Sequence, residues 1–468
     1  MKLRSLRLVA GAALALMGLR PVNAGTPASP APAPSAPAPS SLEAFFMQDY
    51  LLGDWGGVRT DLADHGLSFE LFYIGSMPTN MHGGIKEGTV YQGAMLMMAD
   101  FDTTKAGLWK GGRLHVSAVD LHGNPFSADH VGDFNKSNLV DFQSDFRLWE
   151  AYYEQKLLND TLTVKLGLMA ADMDFILPDF YHSLSNITFL NQTFFFPTLV
   201  FNLYDVPGFP VGNHALNSSP YGSLGAVVKW NPSEKFYTYF GIYDGEPNLG
   251  DGGTDFSLSG DQGALMFFET GIRWNVKGSG QLPGDLKLGA FYHTDEFYDV
   301  KDVIGSFAGL SSGTKTHDGN YGFYALLEQM LHCEDECKAQ MGEVGCQGLY
   351  SFLRFTGAPA DRNLTQFGVD GGFVYKGLFK GRDYDTLGIG GSYLQMSDDI
   401  RSAQKAVNRL APGTFVVADY EAAIEVNYKV QLAAWWTIQP SFQYAMHPGG
   451  SGEIDNAWVF ILQSTLRF

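Results

Sequence analysis

The chain carries little positive charge and has no run of basic residues. Its 468 residues include 31 Lys and Arg against 50 Asp and Glu, so the formal net charge is −19 at pH 7. Nucleic acid binding depends on clustered cations that release counterions from the phosphates, and the sequence contains no such cluster. The composition therefore excludes nucleic acid as a partner.

Long apolar runs are missing beyond the N-terminus. Residues 187–204 lack charge, but Asn191, Gln192 and Pro197 are among the residues that interrupt them too often for a helix exposed to lipid. The mean hydropathy of −0.07 also leaves no room for strongly apolar helices. We therefore expect no transmembrane helix in the mature chain.

Catalytic and metal-binding signatures are missing as well. The sequence contains no GxSxG, no HExxH and no phosphate-binding loop. Two carboxylate pairs, Glu150 with Glu154 and Glu421 with Glu425, have a spacing of four residues, which on a strand separates them by roughly 13 Å. A glycosidase needs about 5 to 9.5 Å between its two carboxyl groups. We therefore predict no enzyme activity, no cofactor and no metal site.

The N-terminus has the order of a secretory signal. Three basic residues precede an apolar run of about twelve residues, and the small residues VNA at 22–24 form a cleavage site. The run is shorter than the roughly 20 residues that a transmembrane anchor needs. We predict a signal peptide over residues 1–24, cleaved after Ala24, and a solvated Pro- and Ala-rich spacer over residues 25–41.

After the spacer, polar and apolar residues alternate with the period of a β-strand. In the segment that begins at Tyr420, this residue and Ile424 share an apolar face, whereas Glu425 and Lys429 lie on the opposite face. Such a split suits the strands of a soluble sandwich and of a membrane barrel equally well.

The number and spacing of the strands favour the barrel. We count about sixteen segments of roughly 9 to 15 residues, the fifth of them over residues 162–175. Connections after odd-numbered strands average roughly twenty residues and those after even-numbered strands roughly seven, which is the asymmetry of outer-membrane barrels. We therefore predict an all-β fold, a transmembrane barrel of about 16 antiparallel strands over residues 67–468. A short N-terminal periplasmic segment over residues 42–66 precedes it.

The sequence finishes on an aromatic side chain. In the last stretch, AWVFILQSTLRF, Trp458 and Phe468 lie on an apolar face and Arg467 on the other, where Val459 and Ile461 interrupt the polar pattern. In a barrel whose last strand returns to the periplasm, the Phe468 ring is expected in the interfacial girdle of aromatic residues. A terminal Phe also resembles the signal by which such barrels reach their assembly machinery.

Five segments carry a recognisable set of motifs. They are LLGDWGGVRTDLADHGLSF from Leu51, RLWEAYYEQKL from Arg147, GLYSFLRFTGAP from Gly348, GGFVYKGLFKGRDYDTLGIGGSY from Gly371 and IQPSFQYAMHPGG from Ile438. This ordered set resembles the carbohydrate-selective porins, the glucose-porin family of Gram-negative outer membranes. The resemblance covers nearly everything after the spacer, and only the spacer and a cluster of cysteines depart from the family pattern.

The resemblance implies a function and a set of partners. It implies facilitated diffusion of small neutral carbohydrates such as glucose, in contact with outer-membrane lipid and the barrel-assembly machinery, and a homotrimer. A general porin or one specific for another solute also fits the pattern, as does a surface adhesin or a barrel enzyme. Conductance separates these classes, because an adhesin or enzyme shows none and a general porin is not saturated by sugar.

The longest connection, residues 176–222, is expected to carry selectivity. It is rich in aromatic residues, contains several Asn and has no Lys or Arg. Aromatic faces beside amide and hydroxyl groups suit a neutral sugar, although the same rings also fit a packed plug or a subunit contact. The candidate residues are Phe194, Phe195, Phe196, Tyr204 and Asn202.

Charges of both signs are expected on the lumen side of the strands. A ladder of one sign would indicate an ion-selective pore, and the sequence shows none. We expect these side chains to be solvated pore lining that influences ion preference before it influences sugar binding. They are Arg113, Glu150, Glu154, Lys156, Lys165, Glu269, Arg273, Glu328, Arg354, Glu421, Glu425, Lys429 and Arg467.

Three cysteines lie close together in the sequence, at Cys333, Cys337 and Cys346. In an oxidising periplasm, a disulfide is a more common fate for such a cluster than a zinc site. We predict a disulfide between Cys346 and either Cys333 or Cys337, which closes a periplasmic turn.

Overall fold

Alternating residues form sixteen long antiparallel strands in the part of the chain that the structure describes. The structure is a computed structural model. It describes residues 41–176, 188–195, 197, 217–247, 250–254, 256, 263–276, 281–334 and 346–468.

Each strand pairs with its neighbours in the sequence, and the first strand pairs with the last. That closing pairing runs from Phe72 opposite Arg467 to His82 opposite Trp458, so the sheet is a barrel, as predicted. The two-residue segment Gly88–Thr89 adds a short rung beside the first strand. The strands are β1 Leu67–His82, β2 Gln92–Asp102, β3 Gly112–Gly123, β4 Asp145–Leu157, β5 Leu162–Met169, β6 Ser223–Trp230, β7 Phe236–Asp244, β8 Ala264–Trp274, β9 Gly284–Tyr298, β10 Thr316–Cys333, β11 Gly348–Gly357, β12 Thr365–Lys376, β13 Thr386–Met396, β14 Tyr420–Ala433, β15 Trp436–Met446 and β16 Ala457–Arg467.

The two faces of each strand meet different surroundings. In β16, Trp458 lies on the outer face and is half exposed, whereas Val459 and Ile461 lie on the inner face and are fully buried. In the sequence, these two apolar residues lie on the otherwise polar face of the strand. They pack inside the barrel against Phe126 and Leu190, which belong to long connections that enter the lumen.

Connections after odd-numbered strands are longer on average than those after even-numbered strands, as predicted, so one end of the barrel carries the longer loops and the other the shorter turns. We call these the long-loop end and the short-turn end. Two long connections matter for function: L2, residues 124–144 between β3 and β4, and L3, residues 170–222 between β5 and β6. Of L3, the structure describes residues 170–176, 188–195, 197 and 217–222.

The fifth strand is shorter than predicted. It ends at Met169 instead of residue 175, and a 3₁₀ turn over Ala171–Met173 follows it. Asp174 then lies buried beside two lysines, with its carboxylate accepting hydrogen bonds from Lys165 at 2.8 Å and pairing with Lys229 at 2.7 Å. The chain leaves the wall here because its acidic residue is neutralised inside the barrel rather than beside lipid.

Five α-helices are described, and all are short. They are α1 Ser41–Phe46, α2 Val58–Asp64, α3 Gln192–Phe195, α4 Val300–Ser306 and α5 Asp398–Leu410. Within the described ranges, no helix has the length and apolar character needed to cross a membrane. At the long-loop end, α4 and α5 pack together through residues that include Ile304, Ile400 and Val407.

The segment before β1 lies against the seam between the first and last strands. Arg59 is buried and donates hydrogen bonds to the carbonyl oxygens of Phe69 at 2.8 Å and Phe468 at 2.9 Å. Its guanidinium also lies over the ring of Tyr50, 3.5 Å from the ring centre. One cation therefore connects the two strand edges that close the barrel.

Candidate substrate passage

Interior carboxylates hold L2 and L3 inside the barrel. Glu421 of β14 accepts hydrogen bonds from the backbone N–H groups of Phe134 at 2.9 Å and Asn135 at 2.6 Å, both in L2. The same carboxylate accepts the N–H of Gly449 at 2.9 Å. A carboxylate that accepts several N–H groups is well stabilised, so Glu421 anchors L2 to the wall.

Glu425 performs the same task for L3. It accepts the backbone N–H groups of Leu190 and Asn191, each at 2.9 Å. Two wall residues complete its shell, because Asn427 donates at 2.9 Å and the Ser441 hydroxyl at 3.0 Å. Two carboxylates four residues apart on one strand therefore hold two different loops.

Two more predicted lining residues anchor the beginning of L3. Glu269 of β8 accepts the N–H of Ile176 at 2.9 Å and the hydroxyl of Tyr324 at 2.8 Å. Glu150 of β4 accepts the N–H of Ala170 at 3.3 Å. The N–H groups of Ile176 and Ala170 would otherwise be unsatisfied inside the barrel, and each is paired with a buried carboxylate.

These contacts correct one expectation from the sequence. Glu421 and Glu425 were expected to be solvated, but they are 1% and 0% exposed. Their position on the inner face was predicted correctly. The expectation of solvation was wrong, because L2 and L3 donate the hydrogen bonds that water would otherwise donate to these carboxylates.

Arg354 of β11, which lies three strands from β14, also holds L3. It pairs with Asp370 at 3.0 Å and donates to the carbonyl oxygens of Thr193 at 2.6 Å and Phe194 at 3.1 Å. These carbonyls belong to α3, whose last turn leaves them without helical partners. Arg354 and Phe194 are thus two predicted site residues that the structure brings together.

The described aromatic residues of L3 pack on the barrel wall. The ring centre of Phe194 lies 4.5 Å from that of Phe189 and 6.1 Å from that of Phe352. The rings of Phe189 and Phe194 pack against Gly390 of β13. A Cβ atom added to this glycine would lie 2.8 Å from Phe189 and 3.0 Å from Phe194. The missing side chain of this glycine therefore lets L3 approach the wall closely.

The predicted role of these rings in sugar binding stays a prediction. Phe194 and Phe195 are 0% and 1% exposed, which favours the alternative of a packed plug for these two. Phe196, Tyr204 and Asn202 lie outside the described residues.

The remaining predicted lining charges point inward and most contact groups of the wall. Asp100 of β2 accepts from both Arg113, at 2.8 Å, and His115, at 2.7 Å. Lys429 differs, since it makes no hydrogen bond or ion pair anywhere in the described structure. The others are Glu154 with Lys156 at 3.9 Å, Lys165 with Asp174, Arg273 over the ring of Tyr237 at 4.2 Å, Arg467 with Glu70 at 2.7 Å, and Glu328, which is buried.

Sequence reasoning missed several partners of these charges. Asp100 and Asp370 both occupy inward positions of their strands, but neither was among the predicted lining charges. The partner that gives each one a role lies on a neighbouring strand.

One side of the interior is apolar, which the sequence did not predict. Inward residues of β1 to β3 form a cluster with residues of L2 and β4. A cavity of about 50 Å³ lies there, lined among others by Ile74, Leu96, Val119 and Trp149. Apolar residues occupy both faces of these strands, so period-two alternation gives no signal for an inner apolar wall.

Two of the three cysteines lie side by side at the short-turn end. The Sγ atoms of Cys333 and Cys346 are 3.1 Å apart and both residues are buried. Cys337 lies outside the described residues. The choice between the two predicted pairings therefore remains a prediction.

Comparison with known proteins gives concordant results. The model of the family described as "Carbohydrate-selective porin, OprB family" matches residues 86–468. "Porin B" of Pseudomonas aeruginosa is 28% identical over 435 residues, which is 88% of this chain and 89% of that protein. "Putative porin QuiX" of Acinetobacter baylyi is 25% identical over 450 residues, which is 91% of this chain and 94% of that protein.

Solved structures share the same barrel. The high-pH structure of Pseudomonas putida OprB aligns with a TM-score of 0.77 and 26% identity, covering 91% of this chain and all of the other. The low-pH structure of the same protein aligns with a TM-score of 0.55 and 19% identity over 90% of this chain.

Proposed function

The chain belongs to the OprB family of carbohydrate-selective porins, and on this premise we propose that it passes small neutral monosaccharides such as glucose. It is an outer-membrane sugar porin with a closed barrel of sixteen strands. Solutes diffuse through it down their own gradients, without covalent chemistry or an energy source.

The observation that carries this proposal is the anchoring of L2 and L3 inside the barrel. Glu421 and Glu425 tie one loop each to β14, and Arg354 ties L3 to β11. Fixed loops narrow the lumen to a passage of defined shape, whereas mobile loops would let the pore pass any small solute. Mixed charges and amides beside this passage suit an uncharged polyol.

Sugar contact is assigned to the aromatic part of L3. Phe196, Tyr204 and Asn202 are the proposed contacts, while the packed rings of Phe194 and Phe195 hold the loop in position. Each sugar-to-ring contact contributes on the order of 1 kcal/mol, which corresponds to roughly a fivefold change in half-blocking concentration.

Conductance of the purified protein in planar bilayers tests the proposal. Glucose is expected to reduce the current in a saturable way, and glucose 6-phosphate at the same concentration is expected to do so less because of its charge. A current without saturation by glucose would indicate a general porin instead. The absence of any channel would indicate an adhesin or a barrel enzyme.

The mature form and its surroundings are part of the same proposal. Export removes residues 1–24, residues 25–41 form a spacer, and residues 42–66 precede the barrel on the periplasmic side, where the short turns lie. Assembly machinery inserts the barrel into outer-membrane lipid, where it forms a homotrimer. N-terminal sequencing of the purified protein should begin at Gly25, and crosslinking should stop at three subunits.

An exported location also determines the state of the thiols. We assign the disulfide to Cys333 and Cys346, whose sulfur atoms are already 3.1 Å apart. The bond closes a turn of about a dozen residues and stabilises it by roughly 2 to 3 kcal/mol. Alkylation of non-reduced protein should modify one cysteine of three, and modification of all three would exclude the disulfide.

A further inference from the structure

A row of polar side chains crosses the inner wall from β13 to β2. Thr386 is paired with Lys429, and the pairing of Val430 with Ile438 places Lys429 opposite Gln439. The next pairs continue the row from Gln439 to Gln463, from Gln463 to Ser76 and from Ser76 to Gln92. We call these six inward residues, Thr386, Lys429, Gln439, Gln463, Ser76 and Gln92, the polar row.

L2 and L3 occupy part of the polar row. Asn138 of L2 donates to the Ser76 hydroxyl at 3.1 Å and to Oε1 of Gln92 at 2.6 Å. The carbonyl oxygen of Thr188 in L3 accepts a hydrogen bond from Gln439 at 2.6 Å. Half of the row is therefore used to seat the two loops.

The other half has no protein partner within the described ranges. The hydroxyl of Thr386 and Oε1 of Gln463 are buried without a hydrogen bond. Between them in the row, Lys429 is 9% exposed and makes neither a hydrogen bond nor an ion pair. Other interior cations are compensated, as Arg113 is by Asp100 and Arg354 by Asp370.

Glu425, four residues away on the same strand, attracts Lys429 electrostatically, but the described structure shows no ion pair between them. The Glu425 carboxylate is already surrounded by four donors, among them the N–H groups of Leu190 and Asn191. A buried ammonium group without an ion-pair partner is costly, and an anionic ligand lowers that cost.

The chemistry of the three groups defines the ligand. Lys429 offers a positive charge and three N–H donors, Gln463 offers an acceptor for a hydroxyl group, and Thr386 offers a hydroxyl that can donate or accept. A carboxylate beside hydroxyl groups matches all three. We propose that Lys429, Gln463 and Thr386 form a subsite for sugar acids, an aldonate or a uronate, with the carboxylate on Lys429.

The position of the subsite gives it a place in transport. Along β14, Lys429 lies beyond Glu425 towards the short-turn end, so the subsite lies on that side of the L3 anchor. A solute that comes from the long-loop end reaches it after passing L3. The inference rests on the proposed function, because it needs the lumen to be a sugar passage.

Bilayer conductance with sodium gluconate tests the subsite, with glucose and sodium acetate as comparison solutes and the ionic strength held constant. Gluconate is expected to block the wild-type pore at lower concentration than glucose does. The Lys429→Met variant should raise the half-blocking gluconate concentration about tenfold and change glucose block less than twofold. Lys405→Met, which removes the same charge from an exposed position on α5, should change neither.

A second variant keeps the charge in place. Gln463→Met removes the side-chain amide, including its acceptor oxygen, and is expected to weaken gluconate block about threefold. Lys429→Met should also leave the urea midpoint of the barrel unchanged or raised, because Lys429 forms no hydrogen bond or ion pair with the described part of the chain. A lowered midpoint would show that Lys429 has a structural role and would overturn the inference.

The outcomes separate this inference from the proposed function. Gluconate block that survives Lys429→Met, or acetate block as strong as gluconate block, would overturn the subsite and leave the glucose result untouched. A wild-type pore that glucose does not block, while gluconate blocks it through Lys429, would overturn the neutral-sugar function and retain the subsite.

Discussion

The two faces of the same barrel wall differ in where their partners come from. On β14, Val426 lies on the outer face and is 41% exposed, whereas the adjacent Glu425 is fully buried on the inner face. Glu425 is bonded to Leu190, 235 positions away in the sequence. An outer side chain therefore only has to be compatible with an apolar environment. An inner polar side chain needs a specific partner, which comes from a distant loop.

The largest difference between the faces is expected at β11. Arg354→Met leaves Asp370 as an unpaired buried charge and removes the donors to Thr193 and Phe194, which should lower the free energy of unfolding by roughly 3 to 5 kcal/mol. The matched outer substitution, Leu353→Met, should cost less than about 1.5 kcal/mol. Urea titration followed by tryptophan fluorescence measures both. Equal losses would mean that the inner contacts contribute no more than the outer ones.

A smaller difference is expected at β14. Glu425→Gln keeps the shape but removes the charge that accepts the N–H groups of L3, so stability should fall by roughly 1.5 to 3 kcal/mol. Single-channel current noise should rise because L3 is held less firmly. Val426→Ile, one position along, should stay within about 0.5 kcal/mol of wild type. A quiet channel in Glu425→Gln would argue against the anchoring role.

Two adjacent glycines of β13 provide the closest comparison. Gly390→Ala places a methyl group 2.8 Å from the Phe189 ring, and we expect a loss of about 1 to 2 kcal/mol from overpacking. For Gly391→Ala the nearest atom is 3.7 Å away, so the change should be neutral or stabilising by up to about 0.5 kcal/mol. The difference between the two urea midpoints is the measurement, and a reversed order would contradict the packing of L3 on this wall.

The smallest effect is expected outside the barrel, at the long-loop end. Asp299 caps α4 and accepts hydrogen bonds from Lys315 and His317. Burial alone would raise its pKa, but hydrogen bonds from Lys315, Asp302 and His317 hold the pKa below the ordinary value. The stabilisation is therefore present at neutral pH and lost as the pH falls below about 4. Asp299→Asn should be slightly less stable than wild type at pH 7, and the difference should shrink as the pH falls below about 4.

The same contrast explains how much the sequence could predict. Strand positions follow from alternation, which is a local property, and β14 and β16 lie within two residues of their predicted bounds. The predicted end of the fifth strand was wrong because Asp174 forms ion pairs inside the barrel. One of its partners, Lys229, lies 55 positions away in the sequence. Local alternation shows which face a residue occupies but not which group it meets there.

The site was therefore predictable only by face. Glu425 and Arg354 were correctly placed on the inner side, yet their contacts with L3 depend on how a loop folds back across the lumen. The sequence did not indicate a role for Gly390, because a glycine has no side chain that contributes to the alternation of polar and apolar residues. Its role appears only when the rings of Phe189 and Phe194 are placed against it.

The contacts of Arg59 also bear on the order in which the molecule folds. Of the two carbonyl groups that this side chain joins, that of Phe69 belongs to β1 and that of Phe468 directly follows β16, and Arg59 and Phe468 are 409 positions apart. Pairings of such long range form late and slowly, and until β1 meets β16 both edges of the sheet stay open to other chains. The guanidinium that lies over the Tyr50 ring offers a hydrogen-bond donor to the arriving strand, and we expect this contact to shorten the aggregation-prone interval before closure.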